Sequence, residues 1–317
     1  MTTPTPPASA GDSAPQAPRN VNSIDSSRLV FVCGMHRSGT TLLAQLLGDS
    51  AGFSALSGTG VRMDEGQFLQ GVYPRGEDMG GVTKWAFNSR SHLTESDARE
   101  GHAQSLLSSW TPYWDLDATY LVEKTPLNLT KTRFLQELFP EARFVIITRH
   151  PVTQAMAVQK WSPTLLGKLG VGFPRLVNHW VHAHTVYSDD SAHLRRKIVI
   201  RYERLIMDPQ REIDRLEEFF ETKLTLANEV AAQPARLSAY AEMWNKPPSV
   251  TSQIARLTTA ARSYGRQRSD LARSLAEASS AMLRPLHRRR LRKYSSTVAS
   301  LGYCLDDLEQ PLEEPSQ

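Results

Sequence analysis

The patterned part of the chain opens on an unbroken apolar run, Leu29-Val30-Phe31-Val32-Cys33. Such a run reads as a strand buried on both faces, as in a parallel sheet. Gly34-Met35-His36-Arg37-Ser38-Gly39-Thr40-Thr41 follows, and then Leu42, Leu43, Leu46 and Leu47 recur at helical spacing. The order is strand, glycine-bounded loop, helix. Tyr120-Leu121-Val122 predicts a second strand, with a helix over 128–139. A third strand over 143–148 (RFVIIT) ends at Arg149, and a helix over 151–161 follows. Pro151 suits the first turn of that helix, where its missing N–H is not needed. A helix over 174–190, a strand at Ile198-Val199-Ile200 and a helix from Pro209 to Phe220 complete the alternation. Strands alternating with helices predict an α/β fold, three layers deep, with a central parallel sheet flanked by helices.

Other stretches are less regular. Residues 52–84 are dense in glycine and read as loops and short turns, and 95–110 as a helix with Ala98, Leu106 and Leu107 inward. From about 226 onward helix and loop dominate, with two helices over 268–301 divided near Pro285. Residues 1–27 are rich in Pro, Ala, Ser and Thr and read as a disordered tail. They lack the basic start and apolar centre of a secretory signal. One domain is expected over 28–317: a core over 29–220, a helical C-terminal extension over 221–305 and a short tail over 306–317. No repeat of 20–50 residues is present.

Composition narrows the function classes. The 317 residues are 40% hydrophobic and 22% charged, enough for a sizeable core. No run of 18 apolar residues predicts a membrane span. A net charge of +4 fits an anionic small-molecule ligand. No RNA-binding aromatic motif, zinc finger or long basic arm argues for nucleic acid. Cys33 and Cys304 are too few for a disulfide scaffold, which makes a reducing cytoplasm the default. No His/Cys/Asp cluster has metal-ligand spacing, so no metal is expected.

The loop after the first strand carries the chemistry. Amides of such a loop converge on one hollow, and the following helix adds positive potential, which suits a phosphate. Its glycines have the GxxxxG spacing of a Walker A motif, but Thr40-Thr41 stand where that motif has Lys-Ser/Thr. A kinase or nucleotide hydrolase working on ATP or GTP with magnesium needs that lysine. Here the cation lies inside the loop, at Arg37.

His36-Arg37-Ser38-Gly39-Thr40-Thr41 resembles the PKSGTT or PRSGTT 5′-phosphosulfate loop of PAPS-dependent sulfotransferases, with His36 where proline is common. The resemblance implies a P-loop sandwich that takes PAPS (3′-phosphoadenosine-5′-phosphosulfate) as donor and releases PAP (3′-phosphoadenosine-5′-phosphate). His36 to Thr41 would bind the 5′ end, and Arg37 would fall on the catalytic lysine or arginine. Arg149, followed by Pro151 in the family's R-x-P pattern, would hold the 3′-phosphate, and Tyr202 of Tyr202-Glu203 would lie by the adenine. The sequence departs at Ala157, eight residues after Arg149, where the family carries serine. Thr153, Gln154 and Lys160 are the replacements at hand.

Glu123-Lys124-Thr125-Pro126 resembles the EK(S/T)(P/A) element of heparan sulfate sulfotransferases, in which the lysine lies near the substrate and the sulfuryl group. Sulfuryl transfer needs cations for the leaving oxygen and a base for the acceptor proton. Arg37 and Lys124 are the candidate cations. Glu65, in Asp64-Glu65-Gly66-Gln67-Phe68-Leu69-Gln70, is the candidate base, from a region where carbohydrate and tyrosylprotein enzymes place a glutamate. Glu123 and Asp64 come next, then His36, His92 and His150, since cytosolic relatives use histidine. The whole pattern is similar to bacterial sulfotransferases of the heparan and tyrosylprotein group. It implies a hydroxyl acceptor on a sugar, a peptide or a small metabolite. A non-catalytic PAP-binding module would keep the phosphate contacts without needing Glu65 or Lys124.

Some features stand outside this scheme. Arg284 to Arg292 (RPLHRRRLR) is a basic run, read either as a solvated face or as a polyanion site. Trp161, Trp180 and Trp244 are candidates for an acceptor pocket or for core. His179 and His182 share a helix face with Trp180, without a third ligand for a metal. Leu301-Gly302-Tyr303 is an ending common among bacterial relatives.

Overall fold

In the computed structural model, residues 24–161, 172–225, 234–245 and 283–308 are described. Five strands form one parallel sheet: β1 (Leu29–Gly34), β2 (Phe53–Ala55), β3 (Tyr120–Lys124), β4 (Arg143–Thr148) and β5 (Lys197–Arg201). Their order is β2-β3-β1-β4-β5. Four were expected. The fifth, β2, lies in the glycine-dense segment and is three residues long, too short for a periodicity to register. It is aligned by its pairing with β3, with Phe53 opposite Tyr120.

β1 lies between β3 and β4, so the chain leaves it toward opposite sides of the sheet. Beyond the carboxyl ends of such strands an open α/β sheet forms its ligand crevice. The phosphate loop, the Glu123–Pro126 element and Arg149 follow these three adjacent strands. Alternation along β1 sorts the core. Val30 and Val32 face α1 (Thr40–Gly48) together with Leu43, Leu46, Leu47, Val122 and Ile147. Leu29, Phe31 and Cys33 face the opposite layer, with Trp110, Phe134, Phe144 and Trp180. That layer draws on α2 (His102–Trp110), α3 (Thr132–Leu138), α4 (Pro151–Lys160) and α5 (Phe173–Ser191).

Two helices are shorter than the periodicity implied. Over 95–110 a 3-10 turn, Glu95–Asp97, closes with a Thr94/Asp97 capping box, and α2 starts only after Gly101, whose φ is 84°. Over 128–139 a 3-10 turn led by Pro126 runs to Thr130. Lys131, at φ −129° and ψ 13°, separates it from α3.

After β5 come α6 (Tyr202–Met207), α7 (Pro209–Phe220) and α8 (Pro234–Asn245). Residues 283–291, with Pro285 among them, are helical, and the chain breaks later, at the 3-10 turn Arg292–Tyr294 before α9 (Ser295–Ser300). The expected helix over 268–282 lies outside the described residues, as do 1–23 of the expected tail. Residues 24–27 are held in place: Asp25 caps the turn Ser26–Arg28, and the Arg28 guanidinium donates to the Leu116 carbonyl at 2.7 Å.

Leu301-Gly302-Tyr303 gains a physical account. Tyr303 is wholly buried at the ends of β4 and β5, its hydroxyl 2.8 Å from Thr148 Oγ1 and 3.3 Å from Glu203 Oε2. Gly302 has φ 82°, and its carbonyl accepts from Arg201 Nη1 at 3.1 Å. The positive φ favours glycine, and a Cβ there would also press on the Arg201 guanidinium. No helix among the described residues is long and apolar enough to cross a membrane.

Candidate active site

The loop after β1 is shaped by two glycines and one left-handed arginine. A Cβ on Gly34 would lie 2.5 Å from the Ile147 carbonyl, so only glycine lets the chain turn against β4. Gly39 has φ 105° and would place a Cβ 2.8 Å from the Tyr202 ring. Arg37 has φ 67°. For a side-chain-bearing residue this conformation costs roughly 1–2 kcal/mol. Neighbours hold it: Arg149 Nη1 donates to the Arg37 carbonyl at 3.0 Å, and Gln154 Nε2 donates to the His36 carbonyl at 2.7 Å. With loop carbonyls turned toward these donors and left-handed residues at 37 and 39, the loop has the backbone pattern of an anion-binding nest, and its Ser38 amide is spent on the Met35 carbonyl at 3.1 Å. α1 starts at Thr40 with no side-chain cap, leaving its first N–H groups for the same hollow.

Two side-chain atoms of the loop are buried without a protein partner, Ser38 Oγ and His36 Nδ1. An unsatisfied buried hydroxyl costs about 1–3 kcal/mol, so Ser38 is poised for an acceptor from outside the chain. Burial lowers the His36 pKa to about 3, assisted by the charges of Arg62, His179, Lys124 and Arg37. His36 is therefore a neutral imidazole within the phosphate loop. The Arg37 guanidinium lies 4.3 Å over the ring of Trp161, which is 66% exposed.

Arg149 is buried. Its guanidinium lies 4.3 Å over the Tyr202 ring and 5.2 Å from that of Tyr240, its Nε reaches Thr153 Oγ1 at 3.2 Å, and its carbonyl accepts from Trp180 Nε1 at 2.9 Å. Two of the expected replacements for the serine at Ala157 are thus occupied. Thr153 accepts from Arg149 and donates to the His150 carbonyl at 3.1 Å, and Gln154 braces the loop. Lys160 is exposed at the end of α4. Sequence reasoning missed Tyr240. It comes from α8 and bears on both arginines, raising the Arg37 pKa against the larger lowering by burial. No motif or period marks it.

The end of β3 works by alternation. Glu123 and Lys124 point to opposite faces of the sheet. Glu123 is buried behind the site: Oε1 accepts from Gly66 N at 3.0 Å and Thr125 Oγ1 at 2.6 Å, and Oε2 accepts from Asn128 Nδ2 at 2.7 Å. Thr125 Oγ1 in turn accepts from Gln67 N at 3.1 Å, and Trp110 Nε1 donates to the Gly66 carbonyl at 3.2 Å. A Cβ on Gly66 would fall 2.5 Å from the Glu123 carboxylate. These bonds staple the Asp64–Gln70 stretch to β3. On the other face Lys124 Nζ donates to the Met63 carbonyl at 2.7 Å and pairs with Glu65 Oε1 at 3.4 Å. Glu65 Oε2 accepts from Gln67 Nε2 at 2.5 Å. Both members of the pair are almost wholly buried. Burial lowers the Lys124 pKa, and Glu65 opposes it.

The other candidate bases have different attachments. Burial raises the Glu123 acid to about 7, against the Thr125, Lys124 and Gly66 contacts, and its oxygens are filled by three donors. Asp64 Oδ1 closes its own loop by accepting from Thr59 N at 3.0 Å and Oγ1 at 2.6 Å. His92 pairs with Asp190 at 2.9 Å. His150 caps α4, accepting from Val152 N at 3.2 Å, while its Nε2 lies 2.8 Å from the Cys304 carbonyl. Trp180 and Trp244 are core, whereas Trp161 stands beside Arg37. Among the described residues no group of three His, Cys, Asp or Glu is placed to hold a metal.

A parallel sheet whose central strand opens into a glycine-bounded loop at a helix start, with cations at the ends of both neighbouring strands, defines an α/β protein with a crevice suited to an anion. The chain belongs to the sulfotransferase family: the family model matches residues 30–225, and a sulfotransferase domain model matches 176–275. Sulfuryl transfer is the activity of that family. Among solved structures it is similar to sulfotransferase STF9 from Mycobacterium avium, at 16% identity over 69% of this chain and 70% of that one, with a TM-score of 0.46. It is also similar to a sulfotransferase from Alicyclobacillus acidocaldarius, at 15% identity over 82% and 98% of the two chains, TM-score 0.42. The sulfotransferase domain of the Synechococcus PCC 7002 olefin synthase matches at 16% identity over 73% and 94%, TM-score 0.40. No curated protein matches the sequence.

Proposed function

We propose that this chain moves the sulfuryl group of PAPS onto a hydroxyl of a sugar, peptide or small metabolite and releases PAP. The observation that carries the donor assignment is the bond from Arg149 Nη1 to the Arg37 carbonyl. It joins the two anion elements into one wall, as a nucleotide with phosphates at its 3′ and 5′ ends requires. The partnerless Ser38 hydroxyl on that wall fits a phosphate or sulfate oxygen. In this reading the loop amides other than that of Ser38, which bonds the Met35 carbonyl, act with the Ser38, Thr40 and Thr41 hydroxyls to hold the 5′ end, and Arg149 holds the 3′-phosphate beside Tyr202. The two unpaired cysteines fit the expected reducing cytoplasm.

Glu65 takes the acceptor proton as the acceptor oxygen bonds to sulfur. The bond from sulfur to the bridging oxygen breaks, and its electron pair stays on the 5′-phosphate beside Arg37. Lys124 pairs with the Glu65 carboxylate and adds positive charge at the transferring group. No metal enters the scheme.

PAP should raise the melting temperature without magnesium, and ATP with magnesium should not; the reverse result would assign the site to a kinase or hydrolase. With labelled PAPS and a panel of acceptors, Glu65→Ala should lower transfer by roughly 100- to 10,000-fold while PAP binding persists. PAP binding without transfer to any acceptor would point instead to a binding module.

A further inference from the structure

The basic run near the C-terminus divides into two functions. His287 and Leu291 are buried, with the His287 ring stacked 5.3 Å from Phe173. Arg288 donates to the Trp244 carbonyl at 2.6 Å and to Asn245 Oδ1 at 2.9 Å, and Arg284 bonds the Met243 carbonyl. These residues fasten the helix over 283–291 to α5 and α8. Arg289, Arg290 and Lys293 instead line a groove of about 670 Å³, and Arg175 and Asn178 of α5 form the facing wall. The four cations come from α5 and from the segment 289–293, more than a hundred positions apart, and among the described residues no carboxylate lines the groove. Among the described residues none of the four has an ion-pair partner. A merely solvated basic helix face has no need of a fourth cation on an opposing wall. A concave surface of one sign concentrates multivalent counter-ions, with rates of encounter raised about 10- to 1,000-fold.

One wall of the groove is packed against the layer beside the site: the Arg175 guanidinium lies 5.8 Å from the Phe87 ring, Phe87 lies 5.2 Å from the His179 ring, and His179 Nε2 accepts from Ala86 N at 3.0 Å. We infer that the acceptor is an acidic oligosaccharide, with its carboxylate or sulfate groups along this groove and the reacting hydroxyl at Glu65. Polar Asn178 and the Tyr294 ring suit sugar units, and the groove walls are helical, without a strand edge to pair an extended peptide. The role as acceptor site rests on the proposed sulfuryl transfer; the binding of the polyanion does not.

The test measures binding of a short sulfated dextran and of neutral dextran of equal length to the full chain at about 0.15 M salt. Arg289→Glu/Arg290→Glu/Lys293→Glu should weaken the sulfated probe by roughly 100-fold, since each reversal places like charges together. Arg175→Gln should weaken it less, and Arg211→Glu, on the exposed face of α7, should leave it unchanged. PAP should stabilise all of these variants as it does the parent. Equal binding of the two dextrans, or indifference to the triple reversal, would overturn the inference. So would tighter binding of poly-glutamate or of phosphatidylserine vesicles than of the sulfated probe. If PAP stabilises none of the chains while the dextran results hold, the donor reading fails and the polyanion groove stands.

Discussion

The two sides of the site are held by different kinds of bond. The phosphate loop is braced through its main chain: Arg149 and Gln154 grip carbonyls of Arg37 and His36, and the anion donors are largely amides. The stretch carrying Glu65 is braced through ionisable side chains, with Glu123 behind it and Lys124 beside it. Amides do not titrate near neutral pH, whereas burial raises the Glu123 carboxyl to about 7. The donor side should therefore hold its geometry across the physiological range, while the acceptor side responds to pH and to single charge changes.

Breaking the acceptor side at its ion pair should have the largest effect on stability. Lys124→Met leaves a buried carboxylate with its cation gone, a loss of about 3–5 kcal/mol. Urea unfolding of the parent and variant measures it, and a loss below 1 kcal/mol would mean that water already reaches the pair.

The pH response comes next. Burial raises Glu123 to about 7 and lowers Lys131 to about 7. Between about 4.5 and 7 the folded chain keeps a proton on Glu123 that the unfolded chain releases, so this contribution falls as pH rises. Between about 7 and 10.5 the unfolded chain keeps a proton on Lys131 that the folded chain has lost, so stability climbs with pH. The slopes are worth on the order of 3 kcal/mol for Glu123 and on the order of 5 kcal/mol for Lys131 over their windows. Glu123→Gln should flatten the first and Lys131→Met the second, read from urea midpoints across pH. Unaltered slopes would place those protons on other groups.

A pair of glycine variants separates the two sides directly. Gly39→Ala adds a Cβ 2.8 Å from Tyr202 at a φ of 105° and should abolish stabilisation by PAP. Gly66→Ala pushes on Glu123 and should lower transfer while PAP still binds. Each should cost about 1–3 kcal/mol of stability. If both variants lose PAP binding alike, the two sides are mechanically one unit. The smallest effect belongs to Ser38→Ala. Its hydroxyl has no protein partner, so the variant should be as stable as the parent or up to about 2 kcal/mol more so, yet bind PAP less tightly. A clear loss of stability would mean that Ser38 has a structural bond.

Much of the donor side was legible from local pattern. β1, its loop and α1 announce themselves because apolar run, glycine spacing and helical period are properties of adjacent residues. Arg149 with Pro151 was legible for the same reason. β2 was not, since three residues have no period and their alignment comes from β3. Glu123 and Glu65 looked alike as acids. Tyr240 gave no signal, and Leu301-Gly302-Tyr303 was an ending without a reason until Tyr303 was seen bonded to Thr148 and Glu203.

The sequence by itself determined the alternation of strands and helices, the amide nest with its arginine, and membership of the sulfotransferase family, because these follow from short-range period and spacing. The tertiary structure alone decided which carboxylate lies behind the site and which lies beside Lys124. It also decided which hydroxyls already have partners, and which arginines of the basic run are fasteners. Each of those depends on burial and on partners from distant segments, and neither exists until the sheet has brought the strand ends together.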